Sequence, residues 1–372
     1  MHLSEKRRVK SLENLIAIAE QFKLQGKTLD IREYGHGNIN DTFLVTLDSK
    51  TEKHFILQHI NTHIFRQPKL IMQNMRTVTE HIRKSASIEK HRWEMPRVLL
   101  TKDGLDHWLD SNGEFWRALS FIDNAQSFDT IQDFAHGREV GYALGLFHNL
   151  ISNLTIERLA DTLEGFHITP RYLQLYDEVT ERSNAGKSPE VHYCLKFVSE
   201  RRTWAHVLEN AKAQGLLPLR PIHGDPKVNN VMIDTDSGKA ISIVDLDTVK
   251  PGLVHYDIGD CIRSGCNPLG EETEEWEAVR FEPDLCRAIL QDYLSQAKKF
   301  LAEIEYEFIY DAIRLIAFEL GLRFFTDYLE GNVYFKVRHE KHNLVRSLIQ
   351  FKLTESIESY EKAIRKIIQD MR

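Results

Sequence analysis

The sequence predicts an α+β protein of two lobes, a smaller one rich in strands followed by a larger one built mainly of helices. Three observations predict it. The 372 residues exceed what one small core organises. The stretch from Thr28 to Ile60 has the β-branched and aromatic texture of paired strands separated by polar turns. From about Thr130 onward apolar residues recur at helical spacing. The boundary is expected between Phe121 and Asp129, dividing the chain into residues 1–123 and 124–372.

The first element is a helix: Leu12, Leu15, Ile16, Ala19 and Phe22 fall on one face, and Gly26 ends the segment. TLDIREYG, DTFLVTL and HFILQHI then read as three antiparallel strands joined by a Gly- and Asn-rich turn and a charged turn. Pro68 opens a second helix, with Leu70, Ile71, Met75, Val78 and Ile82 along a broad face. Strand signals return in PRVLLT, HWLD and FWRALSFI. The helical remainder is interrupted twice, by RPIHGDPKVNNVMID and by SGKAISIVDLDTVKPG. Each pairs a short apolar run with a cluster of Asp, Asn and Gly, which is where chemistry is expected.

Composition narrows the function. With 42% hydrophobic and 28% charged residues the chain is an ordinary globular protein. Lys plus Arg number 48 against 55 Asp plus Glu, so no basic field recruits nucleic acid or an anionic membrane, and the expected partner is a small molecule. The first residues lack a signal-peptide pattern and no apolar run reaches about 20 residues, from which a cytoplasmic location is expected. Cys194, Cys261, Cys266 and Cys286 lack paired spacing and are expected as free structural thiols; the oligomeric state is expected to be monomer or homodimer.

In HGDPKVNNVMID, Asp225 and Asn230 stand five residues apart on a loop entering an apolar strand. In kinase catalytic loops that spacing carries the carboxylate that takes the hydroxyl proton and the amide that binds magnesium. ISIVDLD follows, a buried-strand run that ends in carboxylates and offers Asp245 as the second metal ligand beside Asp247. Mg2+ takes hard oxygen ligands and shares them with phosphates, so one amide, one carboxylate and ATP suffice.

HGDPKVNN followed by VDLD resembles the aminoglycoside phosphotransferase and choline kinase superfamily. More narrowly, GHGNINDTFLVT, FILQHIN, IHGDPKVNN, VDLDTVKPG and RFFTDYLEGNVYF resemble the N-acetylhexosamine 1-kinase group. The resemblance implies a bilobal protein-kinase-like fold whose first lobe binds nucleotide. It also implies ATP- and Mg2+-dependent transfer of phosphate to the anomeric hydroxyl of an N-acetylhexosamine. Asp225 would be the catalytic base and Asn230 and Asp245 the metal ligands.

Gly35, Gly37 and Asn38 lie in the hairpin expected over the phosphates, where glycines let backbone N–H groups approach anionic oxygens. Gln58 stands where protein kinases carry the phosphate-binding lysine, so another cation, such as Lys53 or His59, or the metal itself is expected to neutralise the phosphates. His36, Asn40, Asp225, Arg323, Asp327 and Tyr334 are the candidate sugar contacts; Arg323 and Asp327 have the i,i+4 spacing of a helical ion pair. Asp257 and Asp260 are expected to brace the metal loop, with Arg263 bonded to them. Kinases for an aminoglycoside, choline, ethanolamine or homoserine, and a nucleotide-binding protein without turnover, are the alternatives.

Overall fold

A computed structural model describes residues 11–35, 39–85, 92–183 and 188–372. The chain divides into two compact units, Met1–Met72 with Pro96–Asp123, and Gln73–Met95 with Asn124–Arg372.

The first unit is one antiparallel sheet with a helix on one face. Helix α1 (Leu12–Ala19) begins at Ser11, whose hydroxyl caps the Asn14 N–H at 3.3 Å. Strands β1 (Thr28–Glu33), β2 (Asp41–Leu47) and β3 (His54–Ile60) form the expected meander. Helix α2 (Pro68–Arg83) starts at its proline, as the pattern predicts, and passes into the second unit at Gln73. Short strands β4 (Val98–Leu99) and β5 (Trp108–Leu109) pair with β6 (Phe115–Ser120), completing the order β1-β2-β3-β6-β4.

Alternation sorts the sheet's two faces. Phe43, Val45, Phe55, Leu57, Trp116 and Ala118 turn toward Leu15, Ile18, Ala19 and Phe22 and form a dry core. Burying a ring such as Phe22, which is fully enclosed, contributes about 1.5–3 kcal/mol. Thr42, Gln58 and Arg117 sit in register across three strands on the opposite face.

In the second unit, strand β7 (Ala125–Gln126) leads to α3 (Phe134–Ile151), capped by Asp133 on the His136 N–H. Helices α4 (Thr169–Arg182), α5 (Pro189–Arg201) and α6 (Val207–Ala213) follow, then β8 (Arg220–Ile222), β9 (Val231–Asp234), β10 (Ala240–Ile243) and β11 (Lys250–Gly252). The chain ends in α7 (Val254–Gly265), α8 (Pro283–Ala297), α9 (Ile309–Glu330), α10 (His342–Ser359) and α11 (Glu361–Met371). Every residue of α7 is buried, so this helix forms the unit's interior post. Helix α3 packs unusually close to α8: a Cβ on Gly141 would stand 2.0 Å from the Ile289 carbonyl oxygen.

The two segments expected to interrupt the helices do so as small antiparallel ladders, β9 with β10 and β8 with β11. All four cysteines are free and buried. Among the described residues no helix is long and apolar enough to cross a membrane.

Candidate active site

The HGD segment emerges from β8 and is held from three sides. Gly224 has φ +89°, and a Cβ there would meet the Thr248 carbonyl oxygen at 2.6 Å, so only glycine fits between the histidine and Asp225. The Thr248 hydroxyl donates to the His223 carbonyl at 2.9 Å. Asp257, fully buried in the first turn of α7, accepts from the backbone N–H groups of His223 and Gly224 at 2.6 and 2.8 Å. His148 supports that carboxylate at 2.8 Å. Asp257 is thus a brace for the loop, and Arg263 bonds to Asp260 and Glu271.

Asn230 follows in a 3-10 turn (Val228–Asn230). Its Nδ2 donates to the Asp225 carbonyl at 2.7 Å, which leaves Oδ1, a hard oxygen, as the candidate ligand atom. Its own carbonyl accepts from the Val244 N–H at 2.8 Å, tying the loop to the end of β10. There the chain turns through Asp245, which adopts φ 64°, ψ 60° and is exposed. A non-glycine residue in that region costs about 1–3 kcal/mol, least for Asp and Asn. The kink takes the carboxylate out of the strand's alternation and onto the surface beside the Asn230 loop.

This donor set fits a divalent cation. Both atoms are hard oxygens, and Asn230 is already oriented by its other hydrogen bond. Among the described residues no group of three or more His, Cys, Asp or Glu side chains forms a metal cage. A cation here would draw its remaining ligands from phosphate oxygens and water.

Lys227 lies 3.0 Å from Asp225 Oδ2, and each side chain keeps 27% of its surface exposed. Burial pushes the Asp225 carboxyl above the usual carboxylate range; the Lys227 charge works against that shift and nearby Asp260 adds to it. His223 is neutral: its Nε2–H donates to the Val244 carbonyl while Nδ1 accepts from the Asp225 N–H, and burial lowers its pKa.

Arg323, on α9, stands amid aromatic rings, its guanidinium carbon 5.0 Å from Phe166, 5.1 Å from Tyr172, 5.5 Å from Phe335 and 6.0 Å from Tyr334. Burial disfavours its charge, but Tyr172, Tyr334, Glu319 and Asp225 more than offset this and hold it protonated. Among the described residues no ion pair joins Arg323 to Asp327, despite their spacing. Asp327 turns away, accepting from the Val333, Tyr334 and Phe335 N–H groups at 2.8, 2.8 and 3.0 Å and from Asn343 Nδ2 at 2.8 Å. The direct contact expected of Asp327 gives way to another task, because its carboxylate is filled by the loop it shapes. That loop presents Tyr334 and Phe335 to Arg323.

The remaining candidates belong to the first unit. Gly35 has φ +75° with open space around it, as a backbone that approaches a ligand needs. His36, Gly37 and Asn38 lie outside the described residues. Asn40 Oδ1 accepts from the Asn61 N–H at 2.9 Å, fixing the end of β3. Gln58 donates to the Thr42 hydroxyl at 3.0 Å and accepts from Arg117 Nε and Nη2 at 2.8 and 2.6 Å. The cation bonded to Gln58 is Arg117, which becomes a further candidate beside Lys53 and His59. His59 is on the other face, between Asp41 and Glu114. Cross-strand register was the signal for Arg117, and it is invisible before the strands are paired. Lys227 was in plain view two residues after Asp225.

Residues 30–294 match a family described as the phosphotransferase enzyme family. Among solved structures, the chain is similar to a microcompartment-associated aminopropanol kinase, with 14% identity over 95% of this chain and 99% of that one and a TM-score of 0.66. A choline kinase from Cryptosporidium parvum is 14% identical over 97% of each chain, with a TM-score of 0.59. A spectinomycin phosphotransferase, solved with ADP and spectinomycin, is 10% identical over 94% and 98%, with a TM-score of 0.57.

Proposed function

We propose, from the premise that this chain belongs to the phosphotransferase enzyme family, that it is an ATP-dependent kinase for the hydroxyl of a small neutral acceptor. The acceptor class we infer is an N-acetylhexosamine phosphorylated at its anomeric hydroxyl. The observation that carries the neutral acceptor is Arg323. A cage of four aromatic rings is what a quaternary ammonium seeks, but here the cage is already filled by a guanidinium within electrostatic range of Asp225. A fixed cation beside the base disfavours a protonated amine and suits a hydroxyl-rich, uncharged acceptor. The aminopropanol, choline and spectinomycin enzymes named above act on amine-bearing compounds, so specificity would differ where Arg323 stands.

In this reading the acceptor hydroxyl rests against Asp225, which takes its proton late as the new O–P bond forms and the bond from the γ-phosphorus to the β,γ-bridging oxygen breaks, releasing ADP. Lys227 pairs with the Asp225 carboxylate and offers a positive charge for the transferring phosphoryl group. Asn230 Oδ1 and Asp245 would hold Mg2+, which when bound spreads charge on the phosphates. Arg117, oriented by Gln58, is the first unit's candidate cation for a nucleotide phosphate. Tyr334 and Arg323 orient the acceptor, with His36 and Asn40 as further candidates.

The test is acceptor-dependent ADP release across N-acetylhexosamines, hexoses, choline, ethanolamine and aminoglycosides. The reading requires kcat/KM for an N-acetylhexosamine to exceed that for any cationic acceptor, and Arg323→Gln to narrow that ratio. Preference for choline or an aminoglycoside would overturn it.

A further inference from the structure

We propose that His167 is a positioning residue, held as a doubly protonated imidazolium, that ties the peptide bearing Asp225 to helix α9 of the acceptor side. Its Nδ1 lies 2.9 Å from Glu319 Oε1 and its Nε2 lies 2.7 Å from the Gly224 carbonyl oxygen. A carbonyl only accepts, and so does a carboxylate, so both ring nitrogens must donate. The other Glu319 oxygen accepts the Thr169 hydroxyl at 2.6 Å, so both oxygens of that carboxylate are engaged.

Two other buried histidines beside the loop are arranged differently. His223 receives the Asp225 N–H on Nδ1, and His148 faces the Tyr293 hydroxyl, which can donate to it. Of the three, only His167 meets an obligate acceptor at each nitrogen. It is also one of four described non-glycine residues with positive φ, at 64°, the other three being Asn or Asp. An imidazole held in that conformation needs surroundings that over-determine it, and the two hydrogen bonds do so.

The charged and polar groups around the ring are Glu319 from α9, Asp260 and Tyr256 from α7, and the Gly224 carbonyl from the loop. Burial disfavours the charged ring, but Glu319, through charge and hydrogen bond, and Asp260 more than compensate. Asp257 already fixes the N–H of Gly224, and His167 fixes its carbonyl, so the residue leading into Asp225 is held at both of its backbone polar groups. Glu319 precedes Arg323 by one helical turn. The acceptor cage and the base thus share one short hydrogen-bonded path.

The catalytic half of this inference rests on Asp225 being the base; the charge half does not. Nitrogen-15 correlation spectra of the histidine rings in the wild-type protein read the charge directly. The His167 resonance is assigned by its absence in His167→Gln or, where that variant does not fold, by its displacement in Glu319→Gln. Both nitrogens protonated at neutral pH is the expected result, and an unprotonated nitrogen overturns the proposal even in an active enzyme. In steady-state assays Glu319→Gln and His167→Gln are expected to lower kcat by about 10- to 100-fold with the KM for ATP nearly unchanged, the size of a misplaced catalytic group. A folded His167→Gln with wild-type kcat overturns the positioning role, and failure of the wild type to phosphorylate any acceptor would fault the functional reading alone.

Discussion

The side-chain amide of Asn230 donates to the main-chain carbonyl of Asp225 at 2.7 Å, so the candidate metal ligand also sets the peptide that aims the candidate base. Substitutions at the two positions should therefore fail in different ways. Asp225→Asn keeps nucleotide binding but loses turnover by about 10²- to 10⁴-fold, the usual contribution of a general base. Asn230→Ala loses turnover and also raises the Mg2+ concentration needed for half-maximal activity. Calorimetry of ATP-analogue binding beside a magnesium titration of the rate separates the two. An unchanged magnesium requirement in Asn230→Ala would remove it from the metal site.

Arg117 and Gln58 form a second linked pair, bound through two guanidinium N–H groups. Loss of one charge-assisted contact to phosphate lowers kcat/KM for ATP by about 10- to 100-fold. That loss is expected for Arg117→Met, with a smaller one for Gln58→Ala, which disturbs only orientation. Thermal melts of both variants check that the buried sheet is intact. A wild-type KM for ATP in folded Arg117→Met would reassign the cation.

Gly224→Ala tests the backbone of the loop. The φ of +89° and the 2.6 Å approach to the Thr248 carbonyl both exclude a Cβ. Strain alone costs roughly 1–3 kcal/mol, so this variant should melt several degrees lower and be nearly inactive. Gly238→Ala, also at positive φ but with open space around it, shows the strain without the clash and keeps its activity.

Stability should vary with pH through His167. Its folded-state pKa is raised, because Glu319 and Asp260 outweigh burial. Its contribution is therefore complete below the ordinary imidazole value of about 6.5 and is lost as pH rises through the raised folded value. Glu319→Gln removes the principal partner, so its melting temperature should fall less steeply on the alkaline side than that of the wild type. Parallel curves in a pH series of melts would contradict the assignment.

The three strands of the meander, helices α1 and α2 and the HGDPKVNN loop were legible because each rests on local signals: periodicity, a proline start, a glycine before an aspartate. Asp225, Asn230 and Asp245 could be named because their spacing in sequence is short. Arg117 was missed because its place opposite Gln58 exists only once β3 and β6 pair. His167 and Glu319 were missed for a similar reason, being 152 residues apart and meeting only through helix packing. Asp327 was legible as a polar residue of the helix end, but not that its carboxylate would be filled by the three N–H groups of the loop that follows.

The most direct test of the account is phosphorus NMR of the product formed from ATP, Mg2+ and an N-acetylhexosamine by the wild-type protein, with Asp225→Asn as the control. The account predicts a new sugar phosphate resonance coupled to the anomeric proton, absent with the variant. A phosphate carried on another hydroxyl would contradict the anomeric assignment, and equal product from Asp225→Asn would contradict the role given to Asp225.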